Sequence, residues 1–232
     1  MSLAVANGCA AVSSRVSGAR DAVAAPSPLC APGSKGLCNL APAWRSWIAA
    51  NPEEREEVLR YAVQCALPEG SDVAAPGGVL HGNFGLRPGW RDEPLSVDDQ
   101  QVVSACLLAH LNAFGAHVTI AIAGPDVPFP APNGFRYMEG VFFGNLFESP
   151  STRAACSGTG DGSGGDAVGR AERVCTKRGA RCGLDAVGPC TGEREVGCLQ
   201  WGGALPHRYC MTAADYAGRL YRHPITVYLR SE

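Results

Sequence analysis

Charge is scarce in this chain. Charged residues make up 18 % of its 232 positions, and 20 basic side chains stand against 22 acidic ones, for a net charge near −2. That balance excludes a dedicated nucleic-acid surface, which needs a clustered basic excess. Long apolar runs are missing as well: no stretch reaches the roughly 20 residues a helix needs to cross a bilayer. Tight cysteine pairs of the CxxC kind are absent, and with them the usual zinc-site spacing. No GxSxG, HExxH or kinase signature occurs, so no local motif announces a catalytic class. No repeat of fixed period appears, which excludes solenoids and propellers. No cofactor and no metal are expected on these grounds.

What the chain does have is cysteine and enough apolar residue to bury a core. Hydrophobic residues make up 46 % of it, which suits one large domain or a domain with appendages. It holds 11 cysteines, and Cys156, Cys175, Cys182, Cys190, Cys198 and Cys210 crowd the last third. The cytosol keeps thiols reduced, so this density points to an oxidising compartment. The closest spacings, Cys30/Cys38, Cys175/Cys182, Cys182/Cys190 and Cys190/Cys198, are seven or eight residues, which favours disulfides over zinc. The odd count turns attention to Cys9. It sits in LAVANGCAAVSS, an apolar run followed by small and polar residues, as at the end of a lipoprotein signal peptide cut before the cysteine. The alternative is a free thiol in an N-terminal tail. With lipid on Cys9, the other cysteines could form five disulfides.

The strongest element is Ser96–Gly115. Ser96 suits a helix cap and Asp99 completes a capping-box pattern, while Asp98 and Asp99 place negative charge at the positive end of the helix dipole. Val102, Val103, Cys106, Leu107, His110, Leu111 and Phe114 recur at helical spacing as one apolar stripe, and Gly115 is the stop signal. This is the expected central buried helix. A second helix is expected over 51–67, with Asn51 as cap, Pro52 in the first position, and Val58, Leu59, Ala62, Val63 and Ala66 facing inward. Cys65 lies near that face and Cys106 lies on the central stripe, so Cys65–Cys106 is the preferred single pairing.

Residues 1–40 are rich in Ala, Ser, Pro and Gly and read as an exported tether, with Cys30 and Cys38 flanking a small loop. An α+β core is expected over 41–156. Residues 69–78 read as a Gly/Pro-rich loop. Strands are expected at 79–86, which glycines interrupt, at 117–122, which alternates, and at 135–147, where Gly140 and Gly144 mark bulges or close backbone approach. Residues 157–169 form a Gly-rich linker. The segment 170–232 is cysteine-rich, with short helices expected at 171–177 and 212–220 and a last strand at 225–229 that rejoins the core. Bridges in such a segment each contribute about 2–4 kcal/mol.

LRYAVQCAL, HGNFGLRPGW, QQVVSACLLAHLNAFG and EGVFFGNLF occur in that order over residues 55–150. Together they resemble a group of cysteine-containing exported and lipoprotein-like proteins of myxobacteria and related bacteria. The resemblance implies export and a bacterial origin. It carries over no catalytic residue, because no activity is assigned to that group.

Each candidate for chemistry has a structural alternative. His81, in a glycine-flexed strand, is a candidate base or ligand, or an ordinary surface histidine. Cys106 and His110 stand at i and i+4, a spacing that presents two metal ligands or a thiolate beside a base, although a disulfide would consume the cysteine. Glu139 sits in an apolar strand, where a carboxylate is costly without a partner and is a candidate for an acid role; Asp98 or Asp99 is the candidate second carboxylate. GTGDGSGGD reads as a linker rather than a calcium repeat. Trp44, Trp47, Trp90 and Trp201, with Phe142 and Phe143, make either an aromatic platform or core.

The expected fold is α+β: two central helices on a small, mainly antiparallel sheet, with a disulfide-rich C-terminal segment. The expected setting is secreted, or the outer membrane or surface of a Gram-negative bacterium, with no transmembrane span and Cys9 as the lipid-anchor candidate. The leading functional expectation is a non-catalytic binding or structural envelope protein, with an envelope component, a glycan or a protein as partner and no nucleic acid. The alternatives are a secreted hydrolase directed at glycan or peptide, with Glu139 or His81 as acid or base, and a metal-binding protein.

Overall fold

Two helices, α1 (Pro52–Ala66) and α2 (Val97–Ala109), carry one side of the core. The computed structural model describes residues 6–7, 27–28, 52–75, 78–111, 118–127, 134–148, 150–158, 183–190 and 213–230. At the start of α2 the capping box is complete. The Asp99 N–H donates to the Ser96 hydroxyl at 3.2 Å, and the Ser96 N–H donates to the Asp99 carboxylate at 3.2 Å. Two of the helix's otherwise orphaned donors are thereby satisfied. The single apolar stripe is too narrow an expectation, since every residue from Gln101 to Ala109 is buried. Ser104, Ala105 and Ala109 are small enough for neighbours to close over the remaining faces. The Ser104 hydroxyl accepts the Leu146 N–H at 2.8 Å and the Gln101 side chain accepts the Arg222 N–H at 3.1 Å, so the polar groups buried with α2 have partners. The helix also ends before Gly115: His110 is its C-cap, and residues 112–117 lie outside the described ones.

Eleven strands are described: β1 (Ala6–Asn7), β2 (Ser27–Pro28), β3 (Asp72–Ala75), β4 (Gly78–His81), β5 (Thr119–Ala123), β6 (Phe135–Asn145), β7 (Thr152–Ser157), β8 (Asp185–Pro189), β9 (Ala214–Tyr216), β10 (Arg219–Tyr221) and β11 (Ile225–Arg230). The main sheet runs β1-β5-β11-β6-β7-β8, antiparallel throughout except for the parallel β7–β8 pair. The chain's last strand thus lies in the middle of the sheet. Ile225, Val227 and Leu229 of β11 face the helices with Ile120, Ile122 and Phe142. Tyr228 faces the other way, into a second cluster with Phe135, Met138, Val141, Phe143 and Tyr221. Both faces are therefore covered, which is why ITVYL carries no charge on either side.

Three expectations need correction. The segment 79–86 is not a strand of the main sheet. Its first part, β4, pairs with β3 in a hairpin that joins β2 in a separate three-stranded sheet, so part of the supposed loop 69–78 is strand. The second part clasps the end of α1. The N–H groups of Phe84, Leu86 and Arg87 donate to the carbonyls of Gln64, Cys65 and Ala66 at 2.8, 3.1 and 2.9 Å, and those of Asn83 and Gly85 to Leu67 at 2.8 and 3.0 Å. A helix end leaves its last carbonyls without intrahelical donors, and Phe84, Leu86 and Arg87 supply them. Gly82 permits this approach, because a Cβ there would run into the Pro68 carbonyl.

The segment 212–220 is not a helix but the β9–β10 hairpin, with Tyr216 opposite Arg219. Ala217 and Gly218 both have positive φ, +51° and +76°, as a two-residue turn between strands demands. The strands β7 and β8 were not anticipated at all. The expected helix at 171–177 lies outside the described residues, as does most of the linker 157–169. No helix among the described residues is long and apolar enough to cross a membrane.

Candidate functional site

The Cys65–Cys106 disulfide is present and ties α1 to α2, with a Cα–Cα separation of 6.0 Å. Both cysteines are 0 % exposed, so the bond lies in the centre of the helix-side core. One turn on from Cys106, His110 is also buried. Its Nδ1 lies 2.7 Å from the Cys106 carbonyl oxygen. A carbonyl can only accept, so Nδ1 carries the proton, and in the neutral ring Nε2 carries the lone pair. The Tyr61 and Phe84 rings stand against the imidazole, with centroids 5.0 and 5.9 Å away. The two sulfurs and an imidazole nitrogen all lie within 4.8 Å of one another. With the bond closed, this arrangement is a structural staple beside a histidine.

A second bond, Cys156–Cys190, joins β7 to the residue just after β8, with a Cα–Cα separation of 4.9 Å. The Cys190 N–H donates to the Ser157 carbonyl at 2.8 Å. This bond pins the outermost described strand of the main sheet. The other cysteines named above, Cys9, Cys30, Cys38, Cys175, Cys182, Cys198 and Cys210, lie outside the described residues.

His81 and Glu139, the two acid–base candidates, fall on different sheets. His81 is exposed, at 69 % of its side chain, and its Nδ1 is 2.7 Å from Asp72 across the β3–β4 pair. An exposed cross-strand pair of this kind contributes little. Glu139 is buried in β6 at a bulge. Gly140 pairs with Val227 and Met138 with Tyr228, leaving Glu139 as the extra residue, while its carbonyl accepts the Gly158 N–H at 2.8 Å. The glycines of β6 bear on backbone geometry as their positions suggested. The bulge adjoins Gly140, and Gly144, at φ +151°, approaches Thr152 so closely that a Cβ would collide with its carbonyl. Asp99 is engaged by Ser96 and Arg87 at the start of α2. Of the proposed aromatic platform, Trp90, Phe142 and Phe143 are core residues, with Trp90 edge-on to Phe147 at 5.7 Å. Trp44, Trp47 and Trp201 lie outside the described residues.

The densest polar cluster was not foreseen. Asp126, in the turn after β5, receives Arg87 Nη2 at 2.8 Å on one oxygen and sits 2.6 Å from His223 Nδ1 on the other. Arg87 also forms an ion pair with Asp99, in the first turn of α2. Burial pushes the Asp126 carboxyl up, but the hydrogen bonds and charges of His223 and Arg87 outweigh it, and the group titrates below the ordinary carboxylate range. A carboxylate orienting an imidazole through Nδ1 leaves Nε2 as the proton-accepting atom of the neutral ring, the geometry of an acid–base pair. The cluster also has a plain mechanical role, because it joins the clasp on α1, the cap of α2, the β5 turn and the approach to β11. Its members stand 39 and 97 residues apart along the chain, so no local spacing could have signalled them.

No protein-family model matches this chain, no curated protein matches it, and no solved structure matches its fold.

Proposed function

We propose that this protein works outside the cytoplasm of a Gram-negative bacterium, secreted or held at the outer membrane or cell surface, as a non-catalytic binding or structural component of the envelope. The observation that carries this reading is the pair of disulfides. One joins two wholly buried cysteines at the helix crossing and the other pins the sheet's outermost described strand. Bonds of this sort form and persist in oxidising compartments. The resemblance to exported and lipoprotein-like bacterial chains supports the same placement, with Cys9 as the anchoring residue and an envelope protein or glycan as partner. His81 sits in an exposed hairpin pair and Glu139 at a buried bulge on another sheet, which favours a holding role over a catalytic one. Fractionation of the native bacterium, with intact mass of the purified chain, tests the proposal. The expected result is recovery from the outer membrane or the medium, with oxidised cysteines and a lipid mass on Cys9. Recovery from the cytosol with free thiols overturns it.

One observation favours a second reading, a secreted hydrolase directed at glycan or peptide. It is the Asp126–His223 pair, braced by Arg87 and mostly shielded from solvent, whereas the similar Asp72–His81 pair is exposed. In this reading His223 is the base that activates water. Hydrolysis of peptidoglycan or peptide substrates by the wild-type chain, abolished in His223→Gln, would support it. Equal rates in the two chains, or no turnover by either, would end it.

A further inference from the structure

We infer that Cys65, Cys106 and His110 form, when their disulfide is open, a binding site for one Cu(I) ion. The inference concerns the chemistry of the triad itself and does not depend on where the chain resides. Three donor atoms from two helices already lie within 4.8 Å of one another, and all three residues are buried. α2 presents Cys106 and His110 one turn apart on one face, and α1 presents Cys65 opposite them. The helices hold the two Cα atoms 6.0 Å apart through a core that includes Ala62, Val63, Val102 and Leu108, so opening the bond leaves the sulfurs facing each other.

The histidine adds an independent observation. A metal-ligating imidazole commonly donates its other N–H to a carbonyl or carboxylate, which fixes the tautomer and aims the ligand nitrogen. In His110 the Nδ1–H donates to the Cys106 carbonyl at 2.7 Å, which leaves Nε2 as the nitrogen with a lone pair for a metal.

The donor set selects the ion. Two thiolates and an imidazole suit a thiophilic metal rather than calcium or magnesium, which take oxygen. A structural zinc site completes a tetrahedron with four ligands. Among the described residues no fourth His, Cys, Asp or Glu joins this group. Both cysteines are 0 % exposed and aromatic rings line the imidazole, which leaves little room for water as a fourth ligand. Zinc would neutralise the two thiolates better but would lack that ligand. Cu(I) is satisfied by three donors, here two soft thiolates and an imidazole.

A dithiol reductant delivers two electrons and two protons, the Cys65–Cys106 sulfur bond breaks, two thiols form, and the reductant closes to its own disulfide. Cu(I) then displaces the two thiol protons to solvent as two S–Cu bonds and one N–Cu bond form. Because protons are released, affinity rises with pH.

The test uses the full chain, reduced and kept free of oxygen, titrated with Cu(I) delivered from its bicinchoninate complex. Other cysteines also capture copper, so the readout is the thermal unfolding midpoint. An ion raises it only if it binds the folded chain more tightly than the unfolded one, and the variants report which cysteines hold it. The first equivalent is expected to raise the midpoint of the reduced wild-type chain and of Cys156→Ser/Cys190→Ser, but not of Cys65→Ser/Cys106→Ser. His110→Gln, which keeps both sulfurs, is expected to weaken that binding by at least about 10-fold, since loss of a group that merely orients a ligand already costs about 10- to 100-fold. The oxidised chain shows no shift. Should reduction itself unfold the chain, Cu(I) is expected to restore the native far-UV signal in the wild type and not in His110→Gln. No response in the wild type, an equal response in His110→Gln, or displacement of Cu(I) by equimolar zinc overturns the inference.

Discussion

Replacing Cys65 and Cys106 together by alanine removes a cross-link between positions 41 residues apart. In the chain-entropy treatment, a bond closing a loop of that length restricts the unfolded chain by about 4 kcal/mol at room temperature. The native state loses something too, because both sulfurs are wholly buried and alanine leaves a void where they packed. The expected loss is therefore at least about 4 kcal/mol, a large share of the roughly 5–15 kcal/mol that holds a typical domain together. By the same formula Cys156–Cys190, with a separation of 34, constrains the unfolded chain almost equally. That bond pins an outer strand, however. Without it β8 can fray while the rest stays folded, so the global loss is smaller. Urea unfolding followed by far-UV circular dichroism, on the oxidised wild type and each double variant, separates the two cases. A Cys65→Ala/Cys106→Ala chain within about 1 kcal/mol of the wild type would refute the reasoning, as would a larger loss from the Cys156/Cys190 pair.

Three further expectations rest on other parts of the fold. Gly82→Ala drives a methyl group into the Pro68 carbonyl, loosens the clasp on α1, and is expected to cost about 1–3 kcal/mol in urea unfolding. Thr226 is wholly buried in β11 and its hydroxyl has no hydrogen-bond partner among the described residues, so Thr226→Val is expected to stabilise the chain by about 1 kcal/mol, read as a raised thermal midpoint. Asp126 titrates below its ordinary range, so it contributes stability above the unfolded-state value, and this is lost as pH falls through the lower folded value. In His223→Gln the carboxyl should move back up by carbon NMR titration, and acid unfolding should begin at higher pH. An unchanged Asp126 titration would contradict the assignment.

What the sequence disclosed follows the range of the interactions involved. The capping box at Ser96 and Asp99 is local, so it was legible from spacing alone. The Cys65–Cys106 pairing could be anticipated because each cysteine lay near the apolar face of a well-marked helix, and two such faces meet in a small core. The strand β11 was legible as the run ITVYL, although its place in the middle of the sheet depends on distant partners. The glycines of HGNFG were legible as interruptions of a strand, but nothing in the stretch says that the backbone there turns to meet the end of α1. The hairpin at 214–221 was misread as helix because its turn uses Ala217 at positive φ, where a turn normally advertises itself with Asn or Gly. The strand β7, TRAACS, has few of the branched and aromatic residues that mark strands, although Ala154, Ala155 and Cys156 are buried. The Arg87–Asp126–His223 cluster was invisible for a simpler reason: its members come from three unconnected turns.

The most direct measurement is non-reducing peptide mapping of the chain isolated, with thiols blocked at lysis, from the bacterium that makes it. The account predicts one cross-linked fragment containing Cys65 and Cys106, two mass units below the sum of its reduced halves, and a second containing Cys156 and Cys190. Recovery of Cys65 and Cys106 as blocked free thiols, or with zinc still held between them, would contradict it.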